Sequence, residues 1–459
     1  MAIDIGALLQ GPKKIHFVGV GGSGMYPLVQ ILLAAGHHIS GSDVNEGEIL
    51  DYERRQGVRV MMGQRAENVH GADLVVYSAA IQPDNPERLE AERLSIPCVE
   101  RSVMLGYVAS LYRRPLCFAG THGKTTATGM ATQILQMAGL EPAAVIGGRL
   151  PLIGGYGKAG GGDGIVVEAC EYHNTFLELR PETAVLLNVD DDHLEFFGSM
   201  ENLKAAFRAF CALATGAVLY NADDAASREV VAGLAQPLVS FGFGEGCALR
   251  ATAARQHRPA YWAFTLQQNG EALGEIALNV PGQHNIYNAL AACGGALRLG
   301  AGFEQCAAGL EAFAGTGRRF EVLGQVNGVT IADDYAHHPA ELTAVLTAAM
   351  GMGYRQVWAV FQPYTFSRTQ LLLNDFATAL AIPHKVVMTA IMGGREKAED
   401  YAITTAQLAE KVPGSVWFET QRQVADYVLR HAQPGDLVLT LGCGDIYKCA
   451  QMMAGVKDW

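Results

Sequence analysis

Two glycine-rich turns, each placed between a short apolar run and a helix-length segment, constrain the fold of this chain most. The first turn, Gly-Val-Gly-Gly-Ser-Gly, follows residues 15–19, and the second, Gly-Thr-His-Gly-Lys-Thr-Thr, follows residues 115–119. A buried strand that enters a glycine turn and then a helix begins a βαβ unit, and such units build a parallel sheet. Because the two turns are far apart and strand and helix patterns alternate after each, the chain is predicted to contain at least two α/β domains.

The full prediction is a three-domain α/β protein. The chain has 459 residues, more than one ordinary core serves, and its pattern restarts twice, which predicts domains at residues 1–111, 112–316 and 317–459. The first and third are predicted to be Rossmann-like and the second P-loop ATPase-like. Alternating residues around Asn269-Gly270 predict a small antiparallel sheet attached to the second domain, and a hairpin at Asn327-Gly328 opens the third.

The individual elements on which this prediction depends are short strands and helix-length segments. They are placed at residues 15–19, 38–42, 74–78, 115–119, Lys124–Met137, Gly164–Glu168, 183–189, Val357–Phe361, Lys385–Thr389 and 436–441. Neither internal repeats nor low-complexity tracts interrupt the alternation.

Composition excludes several functional classes. The net charge of −12, without a long Lys/Arg run, argues against binding to nucleic acid or to an anionic membrane. No apolar run reaches the roughly 18 residues of a membrane span, and the first residues lack the pattern of a signal peptide. The nine cysteines are scattered singly without CxxC pairs, which favours reduced thiols and a cytoplasmic location over a disulfide framework. The chain is expected to be a monomer or a homodimer.

The first glycine turn has the GxGxxG spacing of a diphosphate-binding loop. Its glycines permit a tight turn and close approach of the backbone, and the following helix offers free N–H groups to a diphosphate. An acid at the end of the next strand can bond a ribose hydroxyl. Three interpretations stay open: a dinucleotide cofactor, a nucleotide sugar, or a tight turn without a ligand. The residues concerned are Gly19, Gly21, Gly22, Ser23, Gly24 and Asp43.

The second glycine turn resembles a phosphate loop for ATP. Its amides would point at the β- and γ-phosphates, Lys124 would add a compact positive charge, and the hydroxyl of Thr125 would reach Mg²⁺. The usual pattern GxxxxGK[ST] requires glycine where Phe118 stands, so the match is to a shorter variant. The alternative is a chance turn. The residues predicted to bind phosphate are Gly120, Thr121, His122, Gly123, Lys124, Thr125 and Thr126.

Acidic residues follow two of the predicted central strands. Glu168 ends one strand, and Asp190, Asp191, Asp192 and His193 follow another. Ligands of open parallel sheets gather beyond the carboxyl ends of the strands, so these side chains should face the phosphate loop. Thr125 and Glu168 are a plausible Mg²⁺ pair, and His193 could serve a second ion. For Asp190 and Asp191, a solvated turn or a helix cap is the favoured interpretation.

Together these motifs resemble the Mur ligase family along nearly the whole chain. In that resemblance Gly120–Thr126 is the ATP loop, and Glu168 and His193 match the family's magnesium-binding Glu and His. Residues 282–289 are similar to the family's segment on the adenine side of ATP, which implies roles for His284, Asn285 and Asn288. Residues 318–320 and 333–339 are similar to the linker and the start of the third domain, where Arg319 would reach phosphate and Asp334 the ribose.

The resemblance implies an ATP-dependent amide ligase that works through an acyl phosphate, with Mg²⁺. Residues 361–369 and 442–446 are most similar to those of members that add L-alanine, so the implied substrates are UDP-N-acetylmuramate and L-alanine. The implied catalytic residues are Lys124, His193, His337 and Arg368, and the implied amino-acid pocket contains Tyr335, His337 and Arg368. Departures from the family pattern occur at Ala336, Tyr364, Thr365 and residues 168–173, and Lys204 is a weak candidate for the modified lysine of some relatives.

Four other functions remain to be separated from this one. A sister ligase would attach a recycled peptide to the same sugar nucleotide, and another would attach glutamate to folate. A nicotinamide dehydrogenase would use the first glycine turn and leave the second idle. A non-catalytic nucleotide-binding regulator would turn over no ATP in the presence of both co-substrates.

Overall fold

The amino-terminal sheet places the first glycine turn at a point where ligands commonly bind. The computed structural model describes residues 3–394 and 396–456, the side chain at 195 excepted. This sheet has five parallel strands in the order β3-β2-β1-β4-β5, so its order reverses at β1 and leaves a crevice after that strand. Its strands are β1 Lys14–Val18, β2 His38–Asp43, β3 Arg59–Met62, β4 Leu74–Tyr77 and β5 Cys98–Glu100, and its helices are α1 Ile5–Leu8, α2 Tyr26–Ala34, α3 Glu48–Arg55, α4 Pro86–Arg93 and α5 Arg101–Ser110.

The central sheet has ten strands, with the second glycine turn at its middle. The order β15-β14-β13-β12-β11-β10-β6-β9-β7-β8 has its switch point at β6, the strand that enters this turn. The strands are β6 Arg114–Ala119, β7 Ala143–Leu150, β8 Gly155–Lys158, β9 Gly164–Glu168, β10 Thr183–Leu186, β11 Ala217–Asn221, β12 Leu238–Gly242, β13 Leu249–Arg258, β14 Tyr261–Gln268 and β15 Glu271–Pro281. The helices are α6 Lys124–Met137, α7 Leu194–Phe197, α8 Met200–Ala212, α9 Ala225–Val231, α10 Asn285–Leu299 and α11 Phe303–Ala312.

The carboxyl-terminal sheet has six strands and one antiparallel edge. Its order is β16-β17-β21-β18-β19-β20, and only the β16–β17 pair is antiparallel among the described residues. The strands are β16 Glu321–Val326, β17 Val329–Asp334, β18 Val357–Phe361, β19 Lys385–Thr389, β20 Val416–Phe418 and β21 Leu437–Leu441. The helices are α12 Pro339–Met350, α13 Phe366–Leu371, α14 Leu373–Leu380, α15 Thr405–Lys411, α16 Gln421–His431 and α17 Tyr447–Ala454.

The predicted fold class is confirmed. Phe17, Phe118 and Phe361 on the central strands are fully buried because helices cover both faces of each parallel sheet. The Asn269-Gly270 hairpin forms the turn between β14 and β15, but these strands extend the central sheet rather than forming a separate one. Within the described part of the chain, no helix has both the length and the apolar character needed to cross a membrane.

One buried carboxyl group in the first domain lacks a polar partner. Glu53 of α3 is 0 % exposed, and neither of its carboxylate oxygens has a hydrogen-bond partner among the described residues. Burial, reinforced by the nearby Asp43 carboxylate, raises the pKa of Glu53 to about 9. When folding raises the pKa of a carboxyl group, its contribution to stability is fully present at pH values below the pKa of the unfolded state. That contribution is lost as the pH rises through the pKa of the folded state.

We therefore expect Glu53→Gln to stabilise the protein increasingly as pH rises from 5 towards 9. The benefit at pH 8 should be on the order of a few kcal/mol, because folding then no longer requires proton uptake. Thermal unfolding at several pH values measures the change in stability. The matched control is Glu92→Gln, because Glu92 is an exposed glutamate near the carboxyl end of α4. A melting temperature with the same pH dependence in both variants would contradict the protonated state of Glu53.

Candidate active site

The second phosphate loop is closely packed and requires its glycines. Gly120 and Gly123 have φ values of +146° and +84°, which favour glycine, and a Cβ on Gly123 would lie 2.4 Å from Asn288 Oδ1 of α10. The Thr121 amide donates to the Asn188 carbonyl at 3.1 Å, which ties the loop to the segment after β10. Because α6 begins at Lys124, its first amides point into the loop, as an anion site requires.

Lys124 lies across its own loop beside a buried carboxylate. Its Nζ donates to the carbonyls of Gly120 at 2.5 Å and Thr121 at 3.0 Å, and it forms an ion pair with Glu171 at 3.0 Å. Burial alone would lower the pKa of Lys124, but neighbouring acidic groups, Glu171 foremost and then Cys170 and Glu168, together outweigh burial and raise it. The lysine is therefore a fixed positive charge at neutral pH, at the place where a phosphate would meet the loop.

Two oxygen ligands suited to a magnesium ion are in contact beside this loop. Thr125 Oγ1 donates to Glu168 Oε1 at 3.0 Å, and Glu168 Oε2 accepts from the Gly147 amide at 2.7 Å. A Cβ on Gly147 would lie 2.6 Å from that carboxylate, so the residue must be glycine for Glu168 to take this position. The hydroxyl and the carboxylate fit the oxygen preference of Mg²⁺. His193 Nε2 lies 3.9 Å from Glu171 and 3.8 Å from Asp192.

A cavity of about 280 Å³ lies between the central and carboxyl-terminal domains. Many of the residues predicted to bind ATP line it: His122, Gly123, Thr126, His284, Asn285, Asn288, Arg319 and Asp334. Asp334, at the end of β17, accepts from the amides of Phe320 at 2.8 Å and Ala336 at 2.7 Å. Burial raises the pKa of Asp334 to about 6 although Arg319 lowers it. The carboxylate thus fixes the backbone on both sides of the cavity.

The carboxylate of Glu341 in α12 makes electrostatic contacts between the central domain and the third domain. Its carboxylate lies 3.3 Å from His122 Nδ1 of the phosphate loop and 3.1 Å from His337 Nδ1, and it is 3.9 Å from Arg319. Burial would raise the pKa of Glu341, but His337 and His122 hold it well below its ordinary value. An ionised carboxylate therefore sits among three groups that can carry positive charge, and it connects the loop to the third domain.

His122 has a second acidic partner on its other side. Its Nε2 lies 3.2 Å from Asp190 Oδ2, and the Asp190 amide donates to Thr121 Oγ1 at 2.9 Å. Burial would lower the pKa of His122, but the bonds to Asp190 and Glu341 raise it to about 9. The imidazole is therefore a cation at neutral pH. Asp190, for which a solvated turn or a helix cap was the favoured interpretation, is 44 % exposed, but its carboxylate also faces His122 of the phosphate loop.

Arg368 of α13 reaches from the third domain to the central one. Its Nη2 donates to Asp192 Oδ1 at 2.8 Å, and both side chains are largely buried. The amides of Phe366 and Ser367 donate to Glu396 at 2.7 and 3.0 Å, which fixes the start of α13. Arginine and the carboxylate after β10 thus meet across the domain interface.

Tyr335 and His337 form an adjoining group. The two rings pack edge to face with centroids 5.6 Å apart, and His337 Nδ1 is 3.1 Å from the Tyr335 carbonyl. The guanidinium of Arg318 lies 4.9 Å from the centroid of the Tyr335 ring and pairs with Asp333 at 2.9 Å. These contacts hold the segment between β17 and α12 in one conformation at the edge of the cavity.

The first glycine turn is held by the strand beside it. Gly19 has a φ of +82°, its amide donates to the Ser42 carbonyl at 2.8 Å, and the Gly21 amide donates to Asp43 Oδ2 at 3.0 Å. The other Asp43 oxygen accepts two further amides, so this acid supports the loop as well as facing its crevice. Arg101, at the start of α5, lies over Gly24, where a Cβ would be 3.4 to 3.5 Å from its side chain.

Comparisons with known proteins agree over the full length. Family models match three consecutive segments: the Mur ligase family catalytic domain at 14–113, the Mur ligase middle domain at 118–296, and the Mur ligase glutamate ligase domain at 318–444. A UDP-N-acetylmuramate–L-alanine ligase of Caldanaerobacter subterraneus is 39 % identical over 96 % of both chains. The chain belongs to the Mur ligase family.

Solved structures share the architecture of this Mur ligase. A UDP-N-acetylmuramate–alanine ligase from Thermotoga maritima is 26 % identical with a TM-score of 0.82, covering 96 % of this chain and 98 % of that one. A murein peptide ligase from Psychrobacter arcticus is 23 % identical with a TM-score of 0.76, covering 97 % and 99 %, and it supports the fold alone.

In this Mur ligase the structure brings most predicted site residues to the domain interface. Sequence reasoning did not single out Glu341 or Arg101, and it noted Glu171 only as a retained acid of residues 168–173, without its ion pair to Lys124. Glu341 stands three residues after His338, the N-cap of α12, and this spacing is typical of a capping box. The spacing does not indicate the three basic partners of Glu341. Lys204, considered for a modified lysine, pairs instead with Glu229 of α9 at 2.5 Å.

Proposed function

We propose that this Mur ligase joins L-alanine to the carboxylate of UDP-N-acetylmuramate with consumption of ATP, in the synthesis of peptidoglycan precursors. The observation that carries this proposal is the meeting of three groups at one interface: the Lys124 phosphate loop, the Thr125–Glu168 pair, and Arg368 of the third domain. ATP use is common to the family, and the relative from Caldanaerobacter carries the name of this activity.

The chemical difficulty is that a carboxylate is a poor acyl donor. Transfer of the γ-phosphoryl group of ATP to one carboxylate oxygen gives an acyl phosphate and ADP, and attack by the free amine forms the amide and releases phosphate. Charge develops on the oxygens of the transferred group, so fixed positive charge and amides are what the protein can contribute. Lys124 and the amides at the start of α6 supply both. The protonated His122 beside them adds a second cation.

Mg²⁺ fits beside the phosphate loop. Thr125 and Glu168 would hold it, since they already bring a hydroxyl and a carboxylate oxygen to 3.0 Å from each other. The ion would neutralise phosphate charge there. The Gly147 amide orients Glu168. His193 lies beside the neighbouring carboxylates of Glu171 and Asp192.

The third domain supplies the amine side. Glu341 holds His337 at 3.1 Å, so this imidazole is oriented at the cavity edge, where it can accept a proton from the amino group of L-alanine. Arg368 pairs with the carboxylate of the amino acid, a task that suits its planar fork, and Tyr335 packs beside them. Contacts such as His122–Glu341 close the two domains around the reaction, which excludes water from a hydrolysable acyl phosphate.

The first domain holds the sugar nucleotide. The amides of residues 19–24 and the guanidinium of Arg101 would meet the diphosphate, and Asp43 would face the ribose. This arrangement uses both glycine turns, whereas a nicotinamide dehydrogenase would use one. The free state of all nine cysteines suits the reducing cytoplasm, where we place the enzyme as a monomer or a homodimer.

ADP release measured by a coupled assay tests the function. We expect turnover that requires UDP-N-acetylmuramate, L-alanine and a divalent cation together, since each substrate completes one side of the site. A tripeptide such as L-Ala-D-Glu-diaminopimelate replaces L-alanine in a parallel arm. Faster turnover with the peptide would assign the chain to the peptide-adding sister ligases, and ADP release without either acid or amine would contradict the proposal.

A further inference from the structure

Two histidines and an aspartate converge at the interface between the phosphate loop and the third domain. One potential ligand atom from each of His122, Asp190 and His338 lies within 4.8 Å of the others. The His122 Nε2–Asp190 Oδ2 distance is 3.2 Å, and the two imidazole rings have centroids 5.4 Å apart. The magnesium chemistry proposed above uses none of the three as a ligand.

His338 provides a second, independent sign of a ligand. The residue is 4 % exposed, and its buried Nε2 has no hydrogen-bond partner among the described residues. The nearest ion-pair partner is Asp191, at 3.9 Å, beyond hydrogen-bond distance. A buried ring nitrogen without a partner costs free energy, which a ligand at that atom would recover.

We propose that His122, Asp190 and His338 form a site for a transition-metal cation of the Zn²⁺ or Co²⁺ class, distinct from the magnesium position at Thr125 and Glu168. Two imidazole nitrogens and one carboxylate, with a water molecule in the fourth position, are a donor set that suits Zn²⁺. Mg²⁺ prefers oxygen and is a poor match for two imidazoles. The three side chains need to move only a little, because ligands that each lie roughly 2.0–2.2 Å from one Zn²⁺ ion are close to one another, as these atoms already are.

The supporting contacts fit this role. Glu341 lies 3.3 Å from His122 Nδ1, so a carboxylate would orient the ring whose Nε2 faces the ion, an arrangement common around metal-bound histidines. The ion would displace the proton on His122 Nε2, which faces Asp190, so binding releases a proton to solvent. On His338, the Ala340 amide donates to Nδ1 over a long 3.4 Å as part of the cap of α12, and the tautomer that frees Nε2 for a metal gives up this weak bond.

The bound ion would join the central domain to the third domain. His122 and Asp190 belong to the central domain, while His338 precedes α12 of the third. Zn²⁺ would therefore hold the interface closed without nucleotide and hinder the opening that product release needs. Metal binding itself does not depend on the ligase reaction, so its test is separate from that of the proposed function.

The test uses the full-length, metal-free protein without nucleotide. Calorimetric titration with ZnCl₂ should show one tight site per chain that excess Mg²⁺ does not displace, and Co²⁺ should give the visible ligand-field bands of a four-coordinate site. His338→Gln and Asp190→Asn should weaken binding by more than the roughly 10–100-fold that loss of an outer-shell partner costs. The control is His431→Gln, an exposed histidine of α16, which should bind Zn²⁺ as the wild type does.

Thermal unfolding of each metal-free variant shows whether it is folded before titration. Zn²⁺ should raise the melting temperature of the wild type and of His431→Gln, and the rise should be lost in both ligand variants. Equal Zn²⁺ affinity in His338→Gln and the wild type would overturn the proposal, as would the absence of a tight site in the wild type.

Discussion

Replacing Lys124 by methionine should lower the turnover number for ADP release by roughly 10²–10³-fold or more, the range found when a single group that stabilises transition-state charge is removed. Methionine keeps most of the apolar stem and removes the charge that the loop carbonyls and Glu171 now surround. The amides of α6 would remain, so ATP binding should weaken less than turnover. Steady-state kinetics with all substrates present measure the difference.

The loss of Lys124 also removes the nearer ion-pair partner of Glu171, which is 2 % exposed, and leaves His193 Nε2 3.9 Å away. A buried carboxylate that loses its close cation is destabilising, so the single variant could fail through folding alone. The double variant Lys124→Met with Glu171→Gln removes both charges and separates the two causes. Lys204→Met, which breaks only a surface pair with Glu229, is the matched control and should retain full activity. Substantial turnover in the folded double variant would remove Lys124 from the catalytic role given to it.

Local sequence patterns were sufficient to predict the parts of the fold that depend on neighbouring residues. The strand–turn–helix units at both glycine turns follow from short-range rules, and helix Lys124–Met137 and strand Gly164–Glu168 have the predicted bounds. Strands β7 and β8 were not predicted. Their sequences contain several glycines, which carry little strand signal, and they are stabilised by pairing with β9 and with each other.

The predicted site was incomplete for a different physical reason. A motif shows which residues surround one loop, whereas the charge of a site depends on side chains brought from another domain. For Asp190 the sequence indicated a solvated turn or a helix cap, because its partner His122 is distant in the chain. Glu341 was not singled out, because its contacts with His122 and Arg319 cross the interface. Only the docking of the domains determines such pairs, and no local pattern encodes it.

The same interface makes Arg368 the second position where a substitution should have a large effect. Arg368→Ala should raise the KM for L-alanine on the order of 10–100-fold, because a hydrogen bond to a charged group contributes roughly 1.5–3 kcal/mol. The turnover number at saturating amino acid should change much less, since the phosphoryl-transfer groups at Lys124 and Glu168 are untouched. Initial rates over a range of L-alanine concentrations separate the two parameters.

Two further variants distinguish recognition of the amino acid from support of the interface. Arg368→Lys keeps the positive charge but loses the planar fork, so its KM should lie between those of the wild type and Arg368→Ala. Asp192→Asn retains an oxygen that can accept the 2.8 Å bond from Arg368, so the arginine stays oriented and the KM should rise less than in Arg368→Ala. Equal effects of Asp192→Asn and Arg368→Ala would mean that the pair matters for docking the domains. An unchanged KM in Arg368→Ala would place the carboxylate of L-alanine elsewhere in the cleft, because removal of a guanidinium that binds this carboxylate must weaken binding of the amino acid.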